Sequence, residues 1–580
     1  MNRLSEGILY LLLVVLFFVG FGTPNTALTQ DLGRHLLLGD MILHSGSVPK
    51  TNLFSYTYPD FPLINHHYLS EVIFYLAMQA FGIDSLLFLT IIVMFLACFI
   101  VFLKARKHAS TISLTLASLL SLRILLERTD VRPEVFSFLL TAIFVTMLYT
   151  YHEKPTKWIL LLIPLTFLWT QLHIYFFVGI VLLILFLLDG LIVKRNNLYC
   201  RYIGILVITL LGSMVVTFIN PNGSEGALYP LRIFDNYGYT IEENQSVFLL
   251  QSLGFQKPSL PYFQLSVLLL FISLGLTFKK TRPIDWFLAG TFSIAGFLAV
   301  RNLPLFALVC FIPFVRSFSI IEAHIKQHLV KEYPRQRILL LKYLTFFLLS
   351  LLLIWQIIDV SKIKTFGLEV KDPYKNAVAF FKDKNLHGPI FNNFDIGSYL
   401  IYSLYPNEKV FVDGRPEAYP KDFLQNIYIP MQENQEMFNV VSKEYDFNTI
   451  VINHTDQTPW AESFLMSILH HADWVPVYLD SSVLILFKDT PENQQLIDTF
   501  GMNYDTLIFS DNALDFQSHL QRARFANLIQ HTHLEKQMYR EILSVDPTFC
   551  PALQNLAIIL SNENDPTAQL FITRYQTTCL

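Results

Sequence analysis

Apolar residues run along this chain in long blocks separated by short polar breaks, and the length of those blocks decides its class. The opening stretch MNRLSEGILYLLLVVLFFVGFG has a basic residue and then an apolar core. That core approaches the ~20 residues a helix needs to cross a hydrocarbon layer. A signal peptide begins in the same way, but no clean small-x-small cleavage site follows, so the stretch reads as a first span that stays in the chain. Further apolar runs lie at 84–103, 109–127, 134–150, 158–172, 174–193, 203–219, 261–278, 284–300, 302–319 and 338–358. The pattern predicts about eleven membrane-spanning helices. Lys and Arg concentrate in cytoplasmic loops, and alternate loops here carry KARK (104–107), EKPTK (153–157), Lys194 and Arg195 with Arg201, KKTR (279–282) and the segment from Arg316 to Arg337. This alternation predicts an N-terminus inside and a C-terminal portion outside.

The first outer loop, residues 25 to 83, differs from the spans. LGRHLLLGDMIL and HYLSEVIFYLAMQAF have helical apolar spacing but are too short to cross, so they are expected to lie in the interface as amphipathic helices. The turn-rich GSVPKTNLFSYTYPDFP joins them. After the last span, residues 365 to 490 read as a small α/β domain. DPYKNAVAFFKDKN and IGSYLIYSL are expected helices; GPIFNNF, KVFVDGR, FNTIVINH and the hairpin WVPVYLDSSVLILFK are expected strands. The tail, 491 to 580, is polar and helical. Its KQMYREILSVDPTFCPALQNLAIIL resembles part of a tetratricopeptide repeat, a unit that needs stacked neighbours for a core. The predicted architecture is therefore an α-helical polytopic membrane protein over 1–360, then an extracytoplasmic α/β domain and a helical tail that could cap the domain or dock a protein partner.

Composition agrees: 53% of residues are hydrophobic and only 15% charged, as in a membrane protein. The net charge of -4 leaves no overall basic surface for nucleic acid, so expected partners are lipidic or delivered by lipids. Five scattered cysteines without C-x-x-C spacing imply neither a zinc site nor a disulfide framework. No phosphate-cradling or dinucleotide glycine motif occurs, so no nucleotide cofactor is expected.

Charge along the outer side changes the picture most, because it gathers nearly all the unusual polar residues. Asp31 and His35 are spaced i,i+4 on the first amphipathic helix, and His67 and Glu71 on the second, so each pair shares a face. If the helices meet, Asp31, His35, His67 and Glu71 converge as ligands for a divalent metal (Mg or Mn) or as a general base. The alternative is two polar faces wetted by headgroups. His66 lies in the same loop. Arg128 and Arg132 sit where one span ends outside and the next begins, suited to phosphate binding or to snorkelling. Arg301, in FLAVRNLPLF, lies in a turn too short to leave the bilayer edge, where a guanidinium suits an anion. His173, in LWTQLHIYFF, fits either a site or a satisfied structural histidine. Asn392, Asp395, Asp413 and Arg415 fall at strand ends of the α/β domain, as binding residues or as a loop-stabilising Asp–Arg pair.

The run DLGRHLLLGDMILHSGSVPKTNLFSYT, followed by NHHYLSEV, VRPEVFSF, LWTQLHIYFFVG, NPNG and RNLPLF, resembles the C-type glycosyltransferase superfamily over roughly residues 1 to 490. The resemblance implies a plasma (inner) membrane enzyme that takes a sugar from a polyprenyl-phosphate donor to a glycan, lipid or protein acceptor on the extracytoplasmic face. It places the catalytic base or metal ligand on Asp31 and the donor phosphate on Arg301 and Arg132; the outer-side positions of His35, His66, His67, Glu71, Arg128 and His173 make them further substrate-binding candidates. Leu32 and Gly33 follow Asp31, so no paired acidic motif is present. A lipid or glycan transporter, or a non-catalytic scaffold of envelope assembly, is the competing class. A transporter should show internal repeats and broken helices, and the sequence shows neither.

Overall fold

The computed structural model describes residues 3–107, 109–192, 198–232, 235, 237–511 and 516–580; Lys194 and Arg195 lie outside them, and the Arg201 side chain is likewise not described. Helices fall on each predicted apolar run: Arg3–Phe21, Ser85–Arg106, Thr111–Leu125, Glu134–Glu153, Lys157–Leu172, Phe176–Ile192, Leu198–Val216, Ser259–Leu276, Pro283–Leu298, Leu303–Val309 with Phe311–Glu332, and Arg335–Ile363. Among the described residues, 5 of these are long and apolar enough to cross a membrane, and the bent pair raises that number to 6. The remaining helices are shorter apolar segments. Leu96 and Phe99 on the Ser85–Arg106 helix and Leu340, Phe347 and Trp355 on the Arg335–Ile363 helix project as large exposed apolar side chains. A continuous apolar exterior is what a bilayer covers, so this is a membrane protein.

One span departs from expectation. The unbroken run predicted over 302–319 is split at Cys310, where its two halves bend by 50°. Pro313, in the first turn of the second half, has no N–H and its ring crowds the carbonyl of Val309, so the helix cannot pass through unbroken.

The two helices of the first outer loop form as predicted, over Leu32–Ser45 and Tyr68–Phe81. They cross closely at Gly39, where an added Cβ would lie 2.2 Å from the Glu71 carbonyl oxygen. The other side of the first helix receives the Phe394–Leu404 helix of the α/β domain, with Tyr402 packed over Gly33.

Four strands form one sheet in the order β1-β2-β4-β3: β1 Ile390–Asn392, β2 Thr449–Asn453, β3 Trp474–Leu479 and β4 Val483–Lys488. β1 and β2 run parallel, and the other pairs are antiparallel. The strand predicted at KVFVDGR does not join this sheet. Its Val410 makes a single parallel bridge to Ser55 of the first outer loop, and the Asn392 side chain accepts from Phe411 N and donates to Val412 O. With its backbone groups satisfied in this way, the segment needs no ladder.

Side chains alternate across the sheet. Ile390, Val451, Val483 and Ile485 join the core that extends into the membrane helices. Phe391, Ile450, Ile452, Leu484 and Leu486 join a second core, shared with the tail helices Phe516–Leu528, Thr532–Val545 and Cys550–Asn562. The sheet is thus the wall between the two cores, and the tail completes its outer side. Cys550 and Cys579 form a disulfide that ties the last two tail helices together, which the cysteine spacing did not imply.

Replacing Gly39 with Val is expected to force the outer-loop helices apart. An overpacking cost of about 1–3 kcal/mol should appear as a lower thermal midpoint in detergent, measured by size-exclusion chromatography after heating. Gly46→Ala in the exposed turn, where nothing lies within 4 Å, is the comparison; its φ of 66° should cost less.

Candidate functional site at the membrane edge

Asp31 closes a short turn over Ala27–Thr29 and stands at the N-cap of the Leu32–Ser45 helix, one residue earlier than the helical face predicted for it. Asn25 fixes this approach: its side chain accepts from Ala27 N at 2.6 Å and donates to Thr129 O at 3.2 Å. A backbone bridge from Asn25 to Val370 pins the other side. The linker after the first span is therefore stapled to the loop that carries Arg128 and Arg132.

The consequence is a charged arc around Asp31. Arg34 Nη2 donates to Asp31 Oδ1 at 3.1 Å, and Arg132 Nη2 lies 4.0 Å from Asp31 Oδ2. Arg132 also donates to Gln30 Oε1 at 2.9 Å and pairs with Glu243 at 2.6 Å. Glu243 bridges Arg132 and Arg128, and Arg128 has Glu134 as a further partner at 3.1 Å. Burial pushes the Asp31 carboxyl up, but the charges of Arg34 and Arg132 outweigh it and hold the group below its usual value. Glu243 is held low in the same way, burial being overcome by Arg128 and Arg132. Both carboxylates are ionised near neutral pH.

Arg301 completes the arc with neutral partners. Its Nε donates to the Tyr175 hydroxyl at 2.8 Å and its Nη1 to Asn244 Oδ1 at 2.9 Å, with the guanidinium 5.4 Å from the Tyr175 ring centroid. Arg128, by contrast, is buried between two carboxylates. The two arginines looked alike in sequence, but one is neutralised within the fold and the other keeps its charge available.

His35, Glu71 and Asn65 form a separate buried chain: His35 Nδ1 lies 2.8 Å from Glu71 Oε1, and Asn65 donates to Glu71 Oε2 at 2.7 Å. His67 stacks on His173 with centroids 5.0 Å apart and meets His35 edge-on at 5.7 Å, while His66 packs on Tyr229 at 4.2 Å. His173 is wired to its own helices. Trp169 donates to Ser137 Oγ at 2.7 Å, which leaves the Ser137 hydroxyl to donate to His173 Nδ1 at 2.9 Å. These are the contacts of a structural histidine. Burial pushes His66 down to about 3 and His67 well below its usual value; burial and the Arg34 charge lower His35. The three imidazoles are neutral, with His66 Nε2 and His67 Nδ1 buried and unpartnered.

Of the four residues expected to gather around a divalent ion, His35, Glu71 and His67 lie together and Asp31 stands apart from them. Asp31 faces guanidinium groups, and Glu71 is used by His35 and Asn65. Among the described residues no three His, Cys, Asp or Glu side chains come together as a metal site.

In the α/β domain, Arg415 grips Asp413 with two hydrogen bonds of 2.6 and 2.7 Å and donates to Asn52 Oδ1 at 2.7 Å. Tyr419 donates to Asp413 at 2.8 Å. Both charged groups are buried, so the loop-stabilising reading of this pair is the one its contacts support, and Asn392 is equally structural. Asp395 differs: desolvation, followed by the charges of Asp456 and Asp31, pushes its carboxyl up to about 7. Beside it, Gly414 lies so close that a Cβ there would be 3.2 Å from Asp31 Oδ1. Sequence reading passed over Arg34 as a site residue; its one signal was the i,i+3 spacing from Asp31.

No protein-family model matches the sequence, and no curated protein matches it. Solved structures do resemble it in fold. The apo oligosaccharyltransferase of Archaeoglobus fulgidus superposes with a TM-score of 0.56 at 11% identity, covering 85% of this chain and 75% of its own. AglB of the same organism, in complex with an inhibitory peptide and a dolichol-phosphate, gives 0.56 at 12% identity over 94% of this chain and 86% of its own. A complex of that oligosaccharyltransferase with Zn and sulfate gives 0.52 at 10% identity, over 92% and 86%. At these identities the likeness establishes the fold alone, one shared with these oligosaccharyltransferase structures.

Arg128→Ala should strand Glu134 in a buried site and cost about 3 kcal/mol of stability, read as a lower thermal midpoint in detergent. Arg301→Ala, which leaves no buried carboxylate behind, should stay within about 1 kcal/mol of wild type.

Proposed function

We propose that this protein is a membrane glycosyltransferase that moves a sugar from a polyprenyl-phosphate donor to an acceptor on the extracytoplasmic side. The observation that carries the reading is the placement of an ionised, partly exposed Asp31 and a charge-available Arg301 in one arc at the ends of apolar helices. The dolichol-phosphate bound by AglB in the shared fold supports a lipid-phosphate donor. The Cys550–Cys579 disulfide supports an oxidising, extracytoplasmic compartment for the tail.

A sugar on a polyprenyl phosphate already has a good leaving group. An acceptor hydroxyl attacks the anomeric carbon, the bond from that carbon to the phosphate oxygen breaks, and the electron pair leaves with the polyprenyl phosphate. Arg301 stabilises the charge growing on that phosphate, with Arg132 beside it. Asp31 orients the acceptor hydroxyl and accepts its hydrogen bond as the new bond forms, then its proton. Its lowered pKa makes it a weak base before attack, so proton transfer comes late, when the attacking oxygen has become acidic. Attack opposite the leaving group inverts the anomeric configuration. No step here is assigned to a metal, because the groups around Asp31 are cations. His35, Glu71, His66 and His67 pack together on the two outer-loop helices, and the half-buried rings of His66 and His67 are the part of that group a sugar can reach.

The test is transfer from a panel of labelled polyprenyl-phosphate sugars by the purified protein in liposomes. Asp31→Asn should lower transfer by about 100-fold or more while the protein stays folded, and Arg301→Ala should raise the donor KM and lower kcat together. Donor lipid that is bound or moved across the bilayer but never turned over would sink the transferase reading in favour of a transporter.

A further inference from the structure

We propose that Arg34, together with Arg132, supplies at Asp31 the positive charge that a divalent ion would otherwise carry, so that transfer proceeds without metal. The inference rests on the transferase reading above for its reaction, but its charge arrangement stands independently. Arg34 is buried, with its Nη2 on Asp31 Oδ1 at 3.1 Å, and Arg132 approaches the other carboxylate oxygen at 4.0 Å. The Nε atoms of both arginines are buried without a hydrogen-bond partner. A divalent ion on Asp31 would sit within a few ångströms of both guanidinium groups, in a partly dehydrated setting where like charges repel strongly.

The ligand supply is equally unfavourable. Mg2+ needs near-octahedral oxygen ligation, and Zn2+ needs three or four protein donors. Asp31 brings one carboxylate; both oxygens of Glu71 are taken by His35 and Asn65, and His35 spends Nδ1 on Glu71, which leaves it a single nitrogen, too few donors in all for either ion. A guanidinium can perform the metal's electrostatic task, since it stays charged at all working pH and presents a fixed fork of donors. Packing holds Arg34 in place: Tyr402 covers the adjacent Gly33, and Gly414 lies against Asp31 from the α/β domain. Arg34 is thus a positioning residue, fixing the Asp31 carboxylate from the buried side.

The experiment uses the full chain in nanodiscs. Mn2+ is titrated into wild type and Asp31→Asn, and free ion is read by electron paramagnetic resonance; transfer is measured with and without EDTA for wild type, Arg34→Gln and Arg34→Lys. The expected results are no Mn2+ binding that depends on Asp31, and transfer within about twofold of wild type in EDTA. Arg34→Gln should lower kcat by about tenfold or more with little change in donor KM, and Arg34→Lys should recover most of that loss. Stoichiometric Mn2+ binding that vanishes in Asp31→Asn, EDTA inactivation reversed by Mn2+ or Mg2+, or full activity in Arg34→Gln would each overturn the proposal. If Arg34→Gln fails to fold, the wild-type titration and EDTA results still decide. If no donor is ever turned over, the transferase reading falls, while the Mn2+ titration still settles the metal question.

Discussion

Everything at the membrane edge depends on how closely three helices approach. The Leu32–Ser45 helix lies between Tyr68–Phe81 on one side and Phe394–Leu404 on the other, and glycine marks each contact: Gly39 over the Glu71 backbone, Gly33 under Tyr402. The third helix has its own close approach, Gly397 against the Val412 carbonyl at 2.2 Å from where a Cβ would be. Because these glycines let the helices approach so closely, the residue that caps the central helix is delivered to the junction between the membrane helices and the α/β domain. That residue is Asp31.

Charge is then distributed by depth. Arg128 lies deepest and is neutralised by Glu134 and Glu243; Arg132 is shared among Glu243, Gln30 and Asp31; Arg301 keeps only neutral partners. Burying a guanidinium without a carboxylate is costly, whereas one near solvent can wait for its anion. The gradient separates arginines paired with carboxylates inside the fold from the one left with neutral partners. Glu243 comes from a loop far along the chain, so this balance is set by tertiary contacts between segments more than a hundred residues apart.

The α/β domain belongs to the site as well as to the fold. Its sheet presents one face to the core shared with the membrane helices and the other to the tail, so the helix carrying Asp395 and the loop carrying Gly414 are held in register with Asp31. The buried Asp413–Arg415 pair, tied to Asn52 of the first outer loop, locks that loop to the domain.

Local sequence was sufficient for whatever depends on period. The apolar blocks located the helices, the two amphipathic stretches of the first outer loop formed where expected, and the strands at 390–392, 449–453, 474–479 and 483–488 followed from short runs rich in β-branched and aromatic residues. Those features arise from neighbours within a few residues, which a linear reading sees. The Pro313 break, the Cys550–Cys579 pair and the loss of a strand at KVFVDGR depended on partners or crowding that spacing alone did not weigh. Partnership was decided only by the tertiary structure: i,i+4 spacing put Asp31 with His35 and His67 with Glu71, while packing instead gave Asp31 to Arg34 and Arg132, and His35 to Glu71. Spacing along a helix fixes which face a side chain shares, but ion pairing depends on what the rest of the chain brings against that face.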